Sequence, residues 1–306
     1  MADQNLPHQA RVVIIGGGVI GSSVAYHLAH LGWTDVVLLE RDQLTCGTTW
    51  HAAGLMTTFG STSETQIEMR MYTRELWARL EEETGLSTGF ERIGFIELAA
   101  DDDRMEEYRR VTAFNRMLGN DVEEIGPDEI KKLFPLAKVD DIKAGFYLPQ
   151  DGRVNPVDAT MSLAKGARLL GVKVLEGVSV TGVTTKNGRA TGVTTDQGEI
   201  AAEFVVNCAG MWARQLGALS GVCIPNQSTE LYFLITDPFL GATRDLPIIV
   251  DPSCHAYYRE ETGGLMIGLF EPTCAPWMVD GVPEDISFGE IEPVWDRLTP
   301  FVEKAM

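Results

Sequence analysis

A chain of 306 residues is long enough for two lobes, and 44% hydrophobic content predicts a packed globular protein. With 25 basic against 44 acidic side chains the net charge is −19, a surface that repels phosphate backbones and argues against nucleic acid as a partner. No apolar run reaches the ~18 residues that span a bilayer, and the polar first ten residues carry neither a secretory leader nor an Arg-rich transit peptide.

Arg11–Ile15 is an uninterrupted β-branched run, the pattern of a buried parallel strand. Gly16–Gly21 turns the chain, Ser22–Gly32 reads as a helix with Val24, Leu28 and Leu31 on one face, and Val36–Glu40 is the next strand. Residues 64–84 predict a long amphipathic helix and 94–98 a strand with one wet face. Helices follow over 102–119 and 127–134, the second opened by Pro127 in its first turn. After the Gly145–Leu148 strand, Asn155–Asp158 opens a helix to about Leu170, and Gly171–Leu175 returns as a strand. Turns at Asn187-Gly188 and Gln197-Gly198 divide residues 178–206 into a small meander. Phe204–Gly210 reads as a second buried strand running into a glycine turn, and residues 229–270 as antiparallel strands.

The resulting architecture is α/β, a Rossmann-like domain beside a mostly antiparallel β-sheet domain. Residues 1–90 and 150–220 are assigned to the first, and 91–149 and 221–306 to the second. The five cysteines are scattered, without metal-ligand spacing, which predicts reduced thiols and no metal site.

The Gly16-x-Gly18-x-x-Gly21 turn follows a strand, opens a helix, and is followed nineteen residues after Gly21 by Glu40 at the end of the next strand. Glycines there permit a tight turn and close backbone approach, and the helix start offers free N–H groups to a pyrophosphate. The Glu40 carboxylate suits ribose hydroxyls and repels a 2′-phosphate, which disfavours NADP. Trp50-His51 is the second signal. Gly47, Thr48 and Thr49 before it suit wrapping a cofactor, and Ala52, Ala53 and Gly54 after it leave room for something flat.

Together, Ile14–Gly21, Leu39-Glu40-Arg41 and Gly47–Leu55 resemble the D-amino-acid-oxidase-type FAD family, and within it the dimethylglycine and sarcosine dehydrogenase branch. The resemblance runs along essentially the whole chain and implies an FAD-dependent oxidative demethylation of an N-methyl amino acid. It implies that His51 is joined covalently to the flavin. Cofactor contacts are implied at Gly16, Gly18, Val19, Ile20 and Gly21, at Glu40 and Arg41, and at Gly47, Thr48, Thr49, Trp50, His51, Ala52, Ala53, Gly54 and Leu55. Val180 is implied beside the adenine, and Ala209–Trp212 is similar to the family's second glycine turn, which places Trp212 near the flavin.

On the substrate side the resemblance points to Tyr257, with His255, as the catalytic pair, in a cluster that includes Tyr258 and Arg259. Relatives often carry a histidine where this chain has Leu231, which leaves the particular amine open. They also continue beyond this length with a further flavin-contacting segment, and many append a folate-binding module, so the chain reads as a fragment of a longer protein. Electron-transfer flavoprotein or oxygen is the implied acceptor, and the cytoplasm or mitochondrial matrix the implied compartment. A 4-methylaminobutanoate-type oxidase, a non-catalytic regulatory paralogue of the family and an NAD-linked dehydrogenase are the competing readings.

Overall fold

The computed structural model describes residues 6–305, so expectations resting on the first five residues and on Met306 lie outside it. In chain order the strands are β1 (Gln9–Ile15), β2 (Val36–Leu39), β3 (Leu55–Met56), β4 (Phe95–Ala99), β5 (Glu123–Ile125), β6 (Ala144–Leu148), β7 (Gly152–Arg153) and β8 (Lys173–Leu175). They continue as β9 (Val180–Lys186), β10 (Arg189–Thr195), β11 (Gly198–Asn207), β12 (Phe233–Ile235), β13 (Ile248–Asp251), β14 (Ala256–Glu261) and β15 (Gly264–Leu269). The helices are α1 (Val19–His30), α2 (Glu64–Thr84), α3 (Asp102–Met117), α4 (Pro127–Leu133), α5 (Pro156–Leu169), α6 (Ala213–Ala218) and α7 (Trp295–Ala305).

Six strands form one sheet in the order β8-β2-β1-β11-β10-β9. β1 pairs in parallel with both β2 and β11, which accounts for its continuous apolar run. Val12 and Ile14 face Ala25, Tyr26, Leu163 and Ala167 of α1 and α5, whereas Val13 and Ile15 meet Val193, Ile200 and Leu216 on the opposite side. α1 begins at Val19, earlier than the apolar pattern predicts, because Gly18 is still extended and the Val19–Gly21 part of the glycine turn already forms the first helical turn. The β9–β10 hairpin turns at Asn187 and Gly188, both with positive φ, as a two-residue loop requires. β11 occupies the expected place, yet it is not buried on both faces: Phe204 is 45% exposed. Trp33 reaches its ring at 5.8 Å but leaves much of it open, a partial cover that pattern alone does not reveal.

Seven strands form the second sheet in the order β12-β15-β14-β13-β4-β6-β5, and β3 pairs with β7 in a small ladder. The second sheet is mostly antiparallel, but β13 runs parallel to β4, a pairing that local alternation does not predict. α3 and Phe59 cover the face carrying Phe95, Phe146, Val250 and Tyr257. α4 and α7 cover the other face, through Ile130 and Leu298. No helix among the described residues is long and apolar enough to cross a membrane, no group of metal-ligating side chains occurs among them, and the five cysteines are free.

Glu97 lies on the face of β4 covered by α3, where the Tyr108 hydroxyl donates to its carboxylate at 3.1 Å. Burial pushes the carboxyl up to about 7 from an ordinary value of 4.5, a cause that outweighs the Tyr108 bond and the nearby Arg104 and Arg70. A folded-state value above the unfolded one gives stability that is fully present below about 4.5 and is lost as the pH rises through about 7. Each pH unit in that window contributes up to about 1.4 kcal/mol. Glu97→Gln is therefore expected to gain on the wild type as the pH rises, by roughly 1–3 kcal/mol. Urea midpoints of both proteins at mildly acidic and mildly alkaline pH check this; a gap that does not change with pH contradicts it.

Candidate functional site

A cleft of about 660 Å³ opens at the carboxyl ends of β1 and β2. Its floor is the turn between β1 and α1. A Cβ on Gly16, whose φ is +111°, would stand 2.3 Å from the Cys208 carbonyl oxygen, and one on Gly21 would stand 1.9 Å from the Gly16 carbonyl oxygen. Both positions therefore require glycine, Gly16 for the turn and Gly21 for the approach of α1 to the sheet. Ile20 is exposed at the helix start, and the Val19 N–H donates to the Thr49 hydroxyl at 3.0 Å. That bond ties the Gly47–Leu55 segment to the glycine turn.

Glu40 is buried at the end of β2. Its carboxylate accepts from the Gly17 N–H at 2.7 Å and the Asp42 N–H at 3.1 Å. The Cys46 thiol, 3.5 Å from the same carboxylate, is pushed up to about 11 by burial and then by that charge, so it stays a thiol. Arg41 lies 3.7 Å over the Trp212 ring, and its guanidinium donates to the Ile286 carbonyl at 2.7 Å. The Trp212 indole N–H donates to the Pro283 carbonyl at 2.9 Å, and Gln215 exchanges two bonds with Val282. The Val282–Phe288 segment is thereby strapped along the rim and brings Glu284 and Asp285 to the lining.

Gly16, Gly18, Val19, Ile20, Glu40, Arg41, Gly47, Thr48, Thr49, Val180 and Trp212 all line this cleft, whereas Gly21 and Trp50–Leu55 do not. The latter segment leads away from the rim towards the second sheet. Leu55 pairs with Arg153, and Ala53 and Leu55 pack against the cluster that contains Tyr257. His51 is half-buried, edge-on to Trp50 at 4.9 Å, and burial holds its pKa below the ordinary 6.5. Its imidazole is thus neutral at neutral pH. The Trp50 indole N–H is buried without a partner among the described residues. A glycine cradle, an exposed helix start, a carboxylate at the end of β2 and this unused donor fit a flavin dinucleotide.

Tyr257 shares a cross-sheet row with Phe146, Glu97, Val250 and Gly268. Its ring lies against Gly268, where a Cβ would come within 1.8 Å of Cζ. Burial pushes the phenol up to about 12, so it stays protonated. Arg259, two residues along the same strand, is 7% exposed and salt-bridged to Glu261 at 2.7 Å, with a buried Nε–H that has no partner among the described residues. His255 is not brought to this face. It sits in the β13–β14 turn with φ +53°, its ring 6.3 Å from Phe301 of α7, so the turn separates it from Tyr257. Leu231 is 60% exposed just ahead of β12, a strand shorter than the expected Glu230–Thr236.

Gln215, Glu284 and Asp285 are site residues that the sequence does not signal; they reach the cleft through α6 and a strap about 265 residues beyond the glycine turn. Arg259 already belongs to the Tyr257 cluster in the sequence, but as one of three charged residues in β14 its burial and unused donor show only in the structure.

Comparison with known proteins places these features. The family described as FAD dependent oxidoreductase (DAO) matches residues 11–304. The chain is 37% identical over 98% of its length to the mitochondrial pyruvate dehydrogenase phosphatase regulatory subunit of Mus musculus, covering 34% of that protein. It is 36% identical over 99% of its length to mitochondrial sarcosine dehydrogenase of the same species, covering 33% of it. With mitochondrial dimethylglycine dehydrogenase of Rattus norvegicus the identity is 39%, over 97% of this chain and 36% of that one. The chain thus spans about a third of the length of these curated relatives. The solved L-proline dehydrogenase from P. horikoshii superposes with a TM-score of 0.81 at 25% identity, over 97% of this chain and 76% of that one.

Proposed function

The chain belongs to the FAD-dependent oxidoreductase family, and from that premise we propose that it oxidises an N-methyl amino acid of the dimethylglycine or sarcosine type, with FAD joined to His51. One observation carries the reading: the Trp50–Leu55 segment connects the dinucleotide cleft to the cluster around Tyr257. When bound, FAD supplies the two-electron acceptor for the hydride lost from the N-methyl carbon.

The protein's own residues prepare that chemistry. The neutral His51 imidazole has a free ring lone pair for attachment. The Tyr257 phenol, protonated at neutral pH, is a hydrogen-bond donor to the substrate and orients its N-methyl group. Arg259 holds a buried positive charge with one donor unused, and we assign it to the substrate carboxylate. On this reading electrons leave to electron-transfer flavoprotein or to oxygen, and formaldehyde is released or captured by folate. The free thiols support a reducing compartment, cytoplasm or mitochondrial matrix.

The similarity to a regulatory subunit favours a second reading, in which the cleft serves no turnover. Anaerobic mixing of the flavin-loaded protein with dimethylglycine, sarcosine and 4-methylaminobutanoate separates the two. Bleaching of the flavin with formaldehyde formation is expected from at least one of them. A loaded protein that none of the three bleaches sinks the proposal.

A further inference from the structure

Asp151 is fully buried between β6 and β7 and gives its carboxylate to one place. It accepts from the Thr58 N–H at 2.6 Å, from the Thr58 hydroxyl at 2.8 Å and from the Arg74 guanidinium at 3.1 Å. Asn120, also buried, lies 3.1 Å from the Thr58 hydroxyl, and Asn115 extends the network to the Ser61 carbonyl at 3.2 Å. Side chains from α2, the end of α3 and the β6–β7 turn therefore converge on a residue three positions after Leu55.

A buried ion pair is poor evidence for stability, because desolvating both charges offsets most of their attraction and apolar replacements often do as well. Such a pair is better explained by what it fixes, and here it fixes a short piece of chain. Leu55 and Met56 are held by β7, and the Gly54 carbonyl accepts the Val154 N–H at 2.9 Å. On the other side of His51, the Thr49 hydroxyl is bonded to the start of α1. Between these anchors, the Ala52 N–H to the Thr49 carbonyl is the backbone bond that Trp50–Ala53 makes among the described residues. The position of His51 thus follows from its two anchors rather than from bonds of its own.

We propose that Asp151, with Arg74 and Thr58, is a positioning device for the flavin-attaching segment, setting where His51 stands relative to the glycine turn. The inference rests on the FAD reading given above. Asp151 touches neither cofactor nor substrate; it acts through Thr58.

The test uses Asp151→Asn, with Thr58→Val as the milder variant and Thr58→Ser as the one that keeps the hydroxyl. Three quantities are read: the fraction of flavin retained after acid precipitation, amide hydrogen exchange in FAD-free protein, and thermal unfolding. Asp151→Asn and Thr58→Val are expected to cut the retained flavin severalfold and to speed exchange at residues 50–58 while β1 and α1 stay as protected as before. Thr58→Ser is expected to restore both. If the variants lower only the unfolding temperature, leaving retained flavin and exchange at 50–58 unchanged, the network is merely structural and the inference is wrong. Should Asp151→Asn fail to fold, Thr58→Val against Thr58→Ser decides the question. A wild-type protein that takes up no flavin overturns the FAD reading instead, and the exchange measurement still tests the anchor.

Discussion

Gly21→Ala is expected to weaken FAD binding by roughly 5- to 150-fold, because an overpacked core contact costs roughly 1–3 kcal/mol and each 1.4 kcal/mol is a factor of ten. The added methyl carbon would sit 1.9 Å from the Gly16 carbonyl oxygen and 3.4 Å from the Cys208 Cβ. The first of these is backbone in a turn that already has a positive φ, so no side chain can swing aside. Relief requires α1 to withdraw from β1, which opens the turn proposed to hold the pyrophosphate. Gly126→Ala is the comparison, since a Cβ there meets nothing within 4 Å and no positive φ is involved. Titration with FAD, followed by flavin fluorescence, should show the first variant weakened and the second near wild type. Equal affinities would remove the glycine turn from the binding site.

The second large effect is expected at Gly268→Ala. A Cβ there would lie 1.8 Å from Tyr257 Cζ and 2.1 Å from its hydroxyl oxygen, so the ring must leave its place across the strand. Displacing a substrate-positioning group by an ångström costs about 10²-fold in rate. Turnover should fall by that order while flavin content stays at the wild-type level, since the dinucleotide cleft is formed by other strands. Tyr257→Phe supplies the cycle. If Gly268→Ala acts through the phenol, the double variant loses little beyond the single ones. Gly268→Ala with wild-type turnover would show that Tyr257 does not position the substrate.

Much of the first sheet was legible because its signals are local. The β1 run, the three glycines, the α1 periodicity and Glu40 lie within ~30 residues, and each follows from a backbone or burial requirement that one residue type meets. The missed helix start is of the same local kind: Val19, Ile20 and Gly21 are at once turn and first helical turn. What did not show in the sequence depends on distant partners. The parallel β13–β4 rung joins Val250 to Glu97, and the placement of Tyr257 over Gly268 is a matter of cross-strand register. The strap that carries Glu284 to the cleft is held by Arg41, Trp212 and Gln215, three side chains whose partners no local pattern names. His255 reads as a neighbour of Tyr257 by spacing, but a positive φ at the turn sends it to α7. The expected burial of Phe204 fails similarly, because apolar composition states what a strand prefers and not what covers it.

His51 stands between the cleft and the Tyr257 face. Acid precipitation of FAD-loaded wild-type and His51→Ala protein, followed by a visible spectrum of each washed pellet, tests flavin attachment there most directly. Flavin absorbance is predicted to stay with the wild-type pellet and to be absent from the His51→Ala pellet. If all flavin leaves the wild-type pellet, while His51→Ala binds FAD and turns over as the wild type does, attachment through His51 is contradicted.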